Sequence, residues 1–307
     1  MDPVVAYAHA SIAEGSKSFA LASRLFDART REVATLLYAW CRYCDDVIDG
    51  QAAGQGSIDS DATPEERLAD LDVLTMRALA GDPGDSPPAQ CLARVVAATG
   101  MPGQYPMDLI EGFRIDVEQR PFRTFDDTLT YCYHVAGVVG VMMAIVMGVS
   151  PTDRATLDRA SDLGISFQLN NIARDVIEDA LNRRRYIPDE WLASEQLPLD
   201  RYAFPPYRRA LARLVARLVD EAERYEASAH HGTAALPMRA AWAVLSAARI
   251  YGDIGRQVRD GGAPALDARA FTTRGQKLRA VAAALPQALS RGRARPDPSR
   301  AGLWTRP

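Results

Sequence analysis

The chain is 307 residues long, 48% hydrophobic and 24% charged, with a formal net charge of −3 and an isoelectric point near 5.9. This is the profile of an ordinary soluble globular protein with enough length for a substantial core, and basic residues spread along the chain disfavour nucleic acid as a partner. Four cysteines and a start without a secretory n-region or h-region predict a reducing, cytoplasmic setting.

In chain order, Gly15-Ser16-Lys17-Ser18 supplies a hydroxyl, ammonium and hydroxyl cluster beside a predicted helix. The apolar Leu36-Leu37-Tyr38-Ala39-Trp40 then leads into Asp45-Asp46-Val47-Ile48-Asp49. Cys41 and Cys44 form a C-x-x-C with neither a second pair nor a histidine cluster, so they are read as helix packing residues rather than zinc ligands. Turn-rich segments at Gly50 to Thr63 and Gly81 to Pro88 punctuate the pattern but are too short to separate independent domains. Thr124 followed by Asp127 resembles a capping box opening the helix through Val135.

The longest apolar run, Val135 to Val149, falls short of the about 20 residues a hydrocarbon core needs and predicts a buried helix. Its Gly137, Gly140 and Gly148 each cost up to about 1 kcal/mol in a helix interior. Close helix packing or room for a long flexible chain would explain them, and both stay open. Pro151 marks the start of the next helix, which carries Asn171-Ile172-Ala173-Arg174-Asp175-Val176-Ile177-Glu178-Asp179.

Leu211, Leu214, Val215, Leu218, Val219, Ala222 and Tyr225 form a helical stripe, and Trp242, Leu245, Ala248 and Ile254 another. No segment sustains period-two alternation, so the chain is predicted to be all-α. From Pro286 to Pro307, Arg291, Arg293, Arg295, Arg300 and Arg306 mix with prolines and predict a loosely ordered, solvated basic tail. Residues 1–290 are therefore expected to form one domain and 291–307 its tail.

On helices, Asp45 and Asp49 share one face, and so do Asn171, Asp175 and Asp179, because four residues turn a helix about 400° and climb about 6 Å. Like-charged acids at that spacing cost roughly 0.2–0.5 kcal/mol per pair. Arg42 stands one turn before Asp46 and Arg174 one turn before Glu178, whereas Asp45, Asp49 and Asp175 are expected to lack a local counterion. Either stretch alone reads as a solvated face. Two of them in apolar settings are expected to oppose each other across a cavity and hold Mg²⁺, which binds through a few carboxylates, waters and substrate phosphates.

Diphosphate departing from carbon needs cations and hydrogen-bond donors. Ser16, Lys17, Ser18, Arg42, Arg174 and the Arg183-Arg184-Arg185 cluster are candidates. Surface salt bridges explain Arg42 and Arg174 equally well, and a helix C-terminal dipole explains the cluster. Tyr38, one turn before Arg42, projects to the same side.

Taken together and in this order, Ser16-Lys17-Ser18-Phe19, Tyr38 to Asp49, Tyr131-Cys132-Tyr133-His134-Val135-Ala136-Gly137-Val138-Val139-Gly140 and Phe167 to Asp175 resemble the squalene and phytoene synthase family, most strongly its bacterial phytoene-forming branch. The resemblance runs from about Gly15 to Trp304. It implies an all-α isoprenoid synthase fold, a helical bundle around a central cavity, with Mg²⁺ (or Mn²⁺) between two aspartate-rich helices. Asp45, Asp49, Asn171 and Asp175 match metal ligands, with Asp179 a further ligand at the next turn. Ser16, Lys17, Ser18, Tyr38, Arg42, Gln168, Arg174 and Tyr251 match diphosphate contacts, and Arg269 is an addition. Asp45, Asp49, Asp175, Asp179 and Tyr251 form the implied catalytic set. The chain departs from the pattern at Asn170, where threonine is frequent, and at Gly252-Asp253, where a basic residue is frequent.

The implied activity is that of a prenyltransferase joining two geranylgeranyl diphosphates through prephytoene diphosphate to phytoene, with loss of a proton and no NADPH. Ring faces at Tyr38, Phe19 and Phe167 offer a passing cation roughly 0.5–2 kcal/mol each, or are plain core. The alternative is a squalene or dehydrosqualene-type reaction on two farnesyl diphosphates. Reduction by NADPH in the squalene case needs a nucleotide site, and no G-x-G-x-x-G follows a strand. C15 and C20 substrates differ by one apolar isoprene unit, which only pocket depth separates.

His134 is read as a hydrogen-bonded core residue rather than the proton acceptor. A di-iron oxidase is disfavoured because no glutamate has a histidine three positions later. A non-catalytic helical scaffold leaves two acid clusters in apolar settings without a reason. A greasy product makes peripheral membrane contact an expectation.

Overall fold

The computed structural model describes residues 2–15, 17–50, 62–292 and 299–307, apart from the side chains of residues 17–19, and every regular element among them is helical. Helices α1 (Pro3–Gly15) and α2 (Lys17–Ser23) lead into α3 (Ala28–Asp49), followed by α4 (Pro64–Leu79), α5 (Pro87–Thr99) and α6 (Gln104–Val117). Next come α7 (Phe125–Cys132), a π-helical turn at Tyr133–Gly137, α8 (Val138–Val146) and the long α9 (Arg154–Leu181). The chain closes with α10 (Asp189–Ser194), α11 (Arg208–Gly232), α12 (Met238–Ala265) and α13 (Arg274–Leu289).

Local chemistry sets the ends of the acid-bearing helices. Asp27 caps α3 by accepting from the Thr30 N–H at 3.0 Å. Gly50 terminates α3 at φ 63°, a left-handed conformation in which a side chain would be strained. Pro151 does not begin the following helix as expected; it lies in a turn, and Asp153 caps α9 through the Thr156 N–H at 3.1 Å. The predicted Thr124–Asp127 capping box is present, with the Thr124 N–H donating to the Asp127 carboxylate at 2.8 Å.

From that cap one helical rod continues over Phe125–Val146, 22 residues, through the π turn into α8. By length and composition it could cross a membrane, but 67% of its most apolar window is buried inside the bundle, so it is a core helix. Gly140 fits the packing reading: a Cβ there would collide with the Ala160 carbonyl, and one on Gly164 of α9 with that of Ala136, so α9 touches α8 and the π turn backbone to backbone. Gly148 lies beyond the rod at φ 98° and serves the turn.

Helix α9 sits at the centre, packed by α11, α8 and α12; Leu157, Asp162, Ile165, Leu169, Ile172, Ala173 and Val176 are buried along one side, and no residue from Thr156 to Ile177 is exposed on any side. The stripe from Leu211 to Tyr225 on α11 is buried as expected. Cys44 is buried and Cys41 packs against the same core, both as free thiols.

The C-terminal segment departs from the solvated tail expected. Helix α13 runs through Pro286 to Leu289. Beyond it, Arg300 clasps the fully buried Asp162 through bonds of 2.9 and 2.8 Å, and Arg306, itself 4% exposed in its side chain, reaches Asp158 at 2.6 Å. The Trp304 N–H donates to the Tyr225 hydroxyl at 3.0 Å, and its ring lies 5.3 Å from Tyr133. Arg293 and Arg295 lie outside the described residues.

Candidate active site

A cavity of about 680 Å³ lies between α3, α6, the α7–α8 rod, α9 and α12. Along α9 its wall extends from Thr156 to Asp179, roughly 35 Å of helix at 1.5 Å per residue. Acids line the end of the cavity near the α9 C-terminus. Met143, Met147, Val244 and Leu236 line it towards the other end, because α8 runs antiparallel to α9.

Asp45, Asp49, Asn171, Asp175 and Asp179 all line this one cavity, as do Tyr38, Arg42, Gln168 and Tyr251. Asp45 and Asp49 occupy the last turns of α3, and Asp175 and Asp179 those of α9. Negative charge there opposes the helix dipole, a local cost of about 0.3–1 kcal/mol at an exposed terminus. Neither placement serves the helix that carries it.

The expectation that Asp45, Asp49 and Asp175 lack counterions is overturned. Arg42, three residues before Asp45, bridges it at 3.0 Å and Asp46 at 2.6 Å. Arg184 reaches Asp49 at 2.7 Å, Arg174 forks onto its neighbour Asp175, and Arg269 adds a 2.9 Å contact to Asp175 and a 3.8 Å contact to Glu178. Arg174 and Arg269 thus approach the site through Asp175 rather than from the cavity wall. Ser16 and the side chains of Lys17, Ser18 and Phe19 lie outside the described residues.

Two features escaped the sequence reading. Asp116 on α6 lines the cavity and accepts from the Tyr131 hydroxyl at 2.9 Å and the Tyr186 hydroxyl at 3.0 Å, while those two rings stack at 4.6 Å. Arg184, considered only within a basic cluster, is carried into the wall by a turn in which Arg183 adopts φ 58°. No helical spacing links either residue to the acid stretches. Tyr131 carried one sequence signal, as the first residue of the Tyr131–Gly140 segment that resembles the family.

Electrostatics ties the acids together. Enclosure pushes the Asp179 carboxyl up to about 7, with repulsion from Asp175 adding to it. Asp45 is pushed up to about 6, first by enclosure and then by Asp49 and Asp46, while Arg42 opposes the shift. Because 46% of the Asp45 side chain still meets solvent, its enclosure is less complete than that shift suggests. Burial likewise raises Asp116, with its two tyrosine donors and Arg184 working against it. Burial also pushes the Tyr38 hydroxyl up to about 12, so it stays a neutral donor.

Phe167 and Tyr251 stack at 4.3 Å in the wall, and the Asn171 amide donates to Gln168 Oε1 at 3.3 Å. His134 holds the Asp108 carbonyl at 2.8 Å, in keeping with a hydrogen-bonded core role. Asn170 is buried against Gly255 in the α9–α12 seam, away from the wall, and Asp253 is taken up by Arg256 at 2.8 Å.

The donor set suits a hard divalent cation: five oxygen-bearing side chains at one mouth, two of them carboxyls, Asp45 and Asp179, raised by enclosure, whose ionised form a nearby positive charge would favour. Among the described residues no three acids, histidines or cysteines converge closely enough to cage an ion alone. Mg²⁺ does not require a protein cage, since it keeps waters and takes one or two carboxylates plus substrate phosphates.

Comparison with known proteins agrees with this architecture. The squalene/phytoene synthase family profile matches residues 12–276. The chain is 50% identical over 299 residues to the 15-cis-phytoene synthase of Pantoea ananas, covering 97% of this chain and 96% of that protein. It is 45% identical over 308 residues to the phytoene synthase of Pseudescherichia vulneris, covering 99% and 98%. A dehydrosqualene synthase crystallised with a ligand superposes with a TM-score of 0.81 at 25% identity, over 94% of this chain and 97% of that one. With the profile spanning most of its length and these relatives matched almost throughout, the chain belongs to the squalene/phytoene synthase family.

Proposed function

We propose that this protein is a phytoene synthase: a Mg²⁺-dependent prenyltransferase of carotenoid biosynthesis that condenses two geranylgeranyl diphosphates head to head through prephytoene diphosphate to phytoene. The observation that carries this reading is one cavity with acids and arginines at its mouth and an apolar body, in a chain 45–50% identical to proteins named as phytoene synthases. A cytoplasmic protein in peripheral contact with a membrane fits such a substrate.

In this reading Asp45, Asp49, Asn171, Asp175 and Asp179 hold the metal. When bound, Mg²⁺ supplies Lewis-acid neutralisation of the departing diphosphate. Arg42, Arg174 and Arg269 donate to the same diphosphate oxygens, with Ser16, Lys17, Ser18, Gln168 and Tyr38 completing the cradle. The C–O bond of one substrate breaks, the allylic cation takes electrons from the double bond of the other, and a proton leaves to give the cyclopropyl diphosphate. The second diphosphate then departs, the carbon skeleton rearranges, and loss of another proton gives the triene. The stacked Phe167–Tyr251 pair presents ring faces to the cations, and the apolar wall keeps water from capturing them.

A dehydrosqualene-type reaction on C15 diphosphates shares the fold, as the 0.81 superposition shows for that architecture. The higher identity to phytoene synthases favours C20. Purified protein given Mg²⁺ and each diphosphate separately is expected to release diphosphate and yield a C40 hydrocarbon from geranylgeranyl diphosphate. A C30 hydrocarbon formed preferentially from farnesyl diphosphate would overturn the C20 reading.

A further inference from the structure

We propose that α13 and the loop before it seat this protein on an anionic lipid surface, with the mouth of the cavity beside the bilayer. The inference rests on the reading that substrate and product are lipids.

Helix α13 buries only methyl groups: Ala280, Ala284 and Ala288, the last two packed with Leu245 and Trp242. Trp242 anchors it by donating from Nε1 to the Val281 carbonyl at 2.7 Å. The large apolar side chains point outward instead. Leu278 is 61% and Leu289 64% exposed, and eleven residues of spacing put them within about 20° of each other on the helix. Phe271, just ahead of the Thr273 cap, is 73% exposed. The core does not account for these three side chains.

Charge distinguishes the covering partner. In a chain with net charge −3, the stretch from Ala268 to Gly292 has no acid and five bases: Arg269, Arg274, Lys277, Arg279 and Arg291. Arg269 is held by Asp175, and Arg291 by the Leu236 and Ala288 carbonyls. Among the described residues none forms an ion pair with Arg274, Lys277 or Arg279, and Arg274 and Arg279 flank Leu278 on the outer face. Leucines and a phenylalanine between bases that have no ion pair among the described residues suit the boundary of acidic headgroups and acyl chains. A second copy meeting this face across a two-fold axis would set like charges against like.

The same loop touches the site. Arg269, two residues before Phe271, reaches the Asp175 carboxylate at 2.9 Å. Docking Phe271 therefore places the acid-bearing mouth at the lipid, where a prenyl chain can enter without crossing water.

The test is flotation of the full chain with phosphatidylglycerol-containing vesicles and with pure phosphatidylcholine vesicles, without metal or prenyl diphosphate. The wild type is expected to float with the anionic vesicles, less so at high salt. Binding should fall at least tenfold in Leu278→Asp/Leu289→Asp and in Arg274→Glu/Arg279→Glu. The leucine double variant should keep its circular dichroism and its turnover of detergent-dispersed substrate.

A wild type that does not float, or variants that float as well as it does, would overturn the proposal. So would loss of a concentration-dependent dimer in the leucine variant with vesicle binding unchanged, because a second copy would then cover the face. Flotation needs no turnover, so an active protein that fails to float rejects docking alone. A floating protein that makes no hydrocarbon rejects the reaction alone.

Discussion

At Asp179, burial and then repulsion from Asp175 leave a carboxyl titrating near 7, above its unfolded value of 3.8. The folded chain therefore holds more protons than the unfolded one between about pH 4 and 7, and the stability this contributes at low pH is lost as pH rises through 7. A divalent cation takes the ionised form, so Mg²⁺ is expected to raise the melting temperature more at pH 8 than at pH 6. Equal thermal shifts at the two values would remove Asp179 from the ligand set. Asp45→Ala or Asp175→Ala should lower turnover by at least about 100-fold while preserving the helical signal, since each removes a donor from the mouth. Undiminished product from either variant would contradict the assignment. The i,i+4 spacing made these carboxylates legible in sequence. Their counterions were not, because Arg184 arrives through a tight turn after α9, Arg269 lies 94 residues from Asp175, and Arg42 was matched only to Asp46.

Helices α3 and α9 end on the acids they carry, against their own dipoles, and this needs a bundle that holds them in place. The contact between Gly140 and Ala160 and between Gly164 and Ala136 supplies that hold. Gly164→Val should destabilise the fold by about 1–3 kcal/mol or more, because backbone rather than a mobile side chain must give way. Urea denaturation reads this, and an unchanged midpoint would mean that the two helices can separate freely. Capping and stripes announced α7 and α11 from sequence. The start of α9 was misplaced at Pro151 because proline favours a helix's first turn but is equally at home in the turn preceding an aspartate cap. The burial of α9 all round leaves no single apolar face for periodicity to detect.

Across the whole molecule, the C-terminal segment and the centre of the bundle depend on each other. Arg300 and Arg306 neutralise Asp162 and Asp158 on α9, the helix that bears Asp175. Arg300→Ala leaves the buried Asp162 carboxyl without its guanidinium partner and should cost about 3–5 kcal/mol. The Arg300→Met/Asp162→Asn double variant should recover much of that, and two additive losses in denaturant titrations would show that no such pair exists. Arginines among prolines gave no sequence sign of this, because their partners lie about 140 residues away.

The guanidinium clamps at the cavity mouth have a consequence for how the protein takes up its two charged solutes. Arg42, Arg174 and Arg269 are resident counterions of the acids; under the proposed function, an arriving diphosphate would draw them towards itself, and each carboxylate they left would become open to a divalent ion. Uptake of one solute should then tighten uptake of the other by the same factor. Calorimetric titration of Mg²⁺ with and without inorganic diphosphate measures that reciprocity, and identical affinities in the two titrations would mean that the arginines stay where they are.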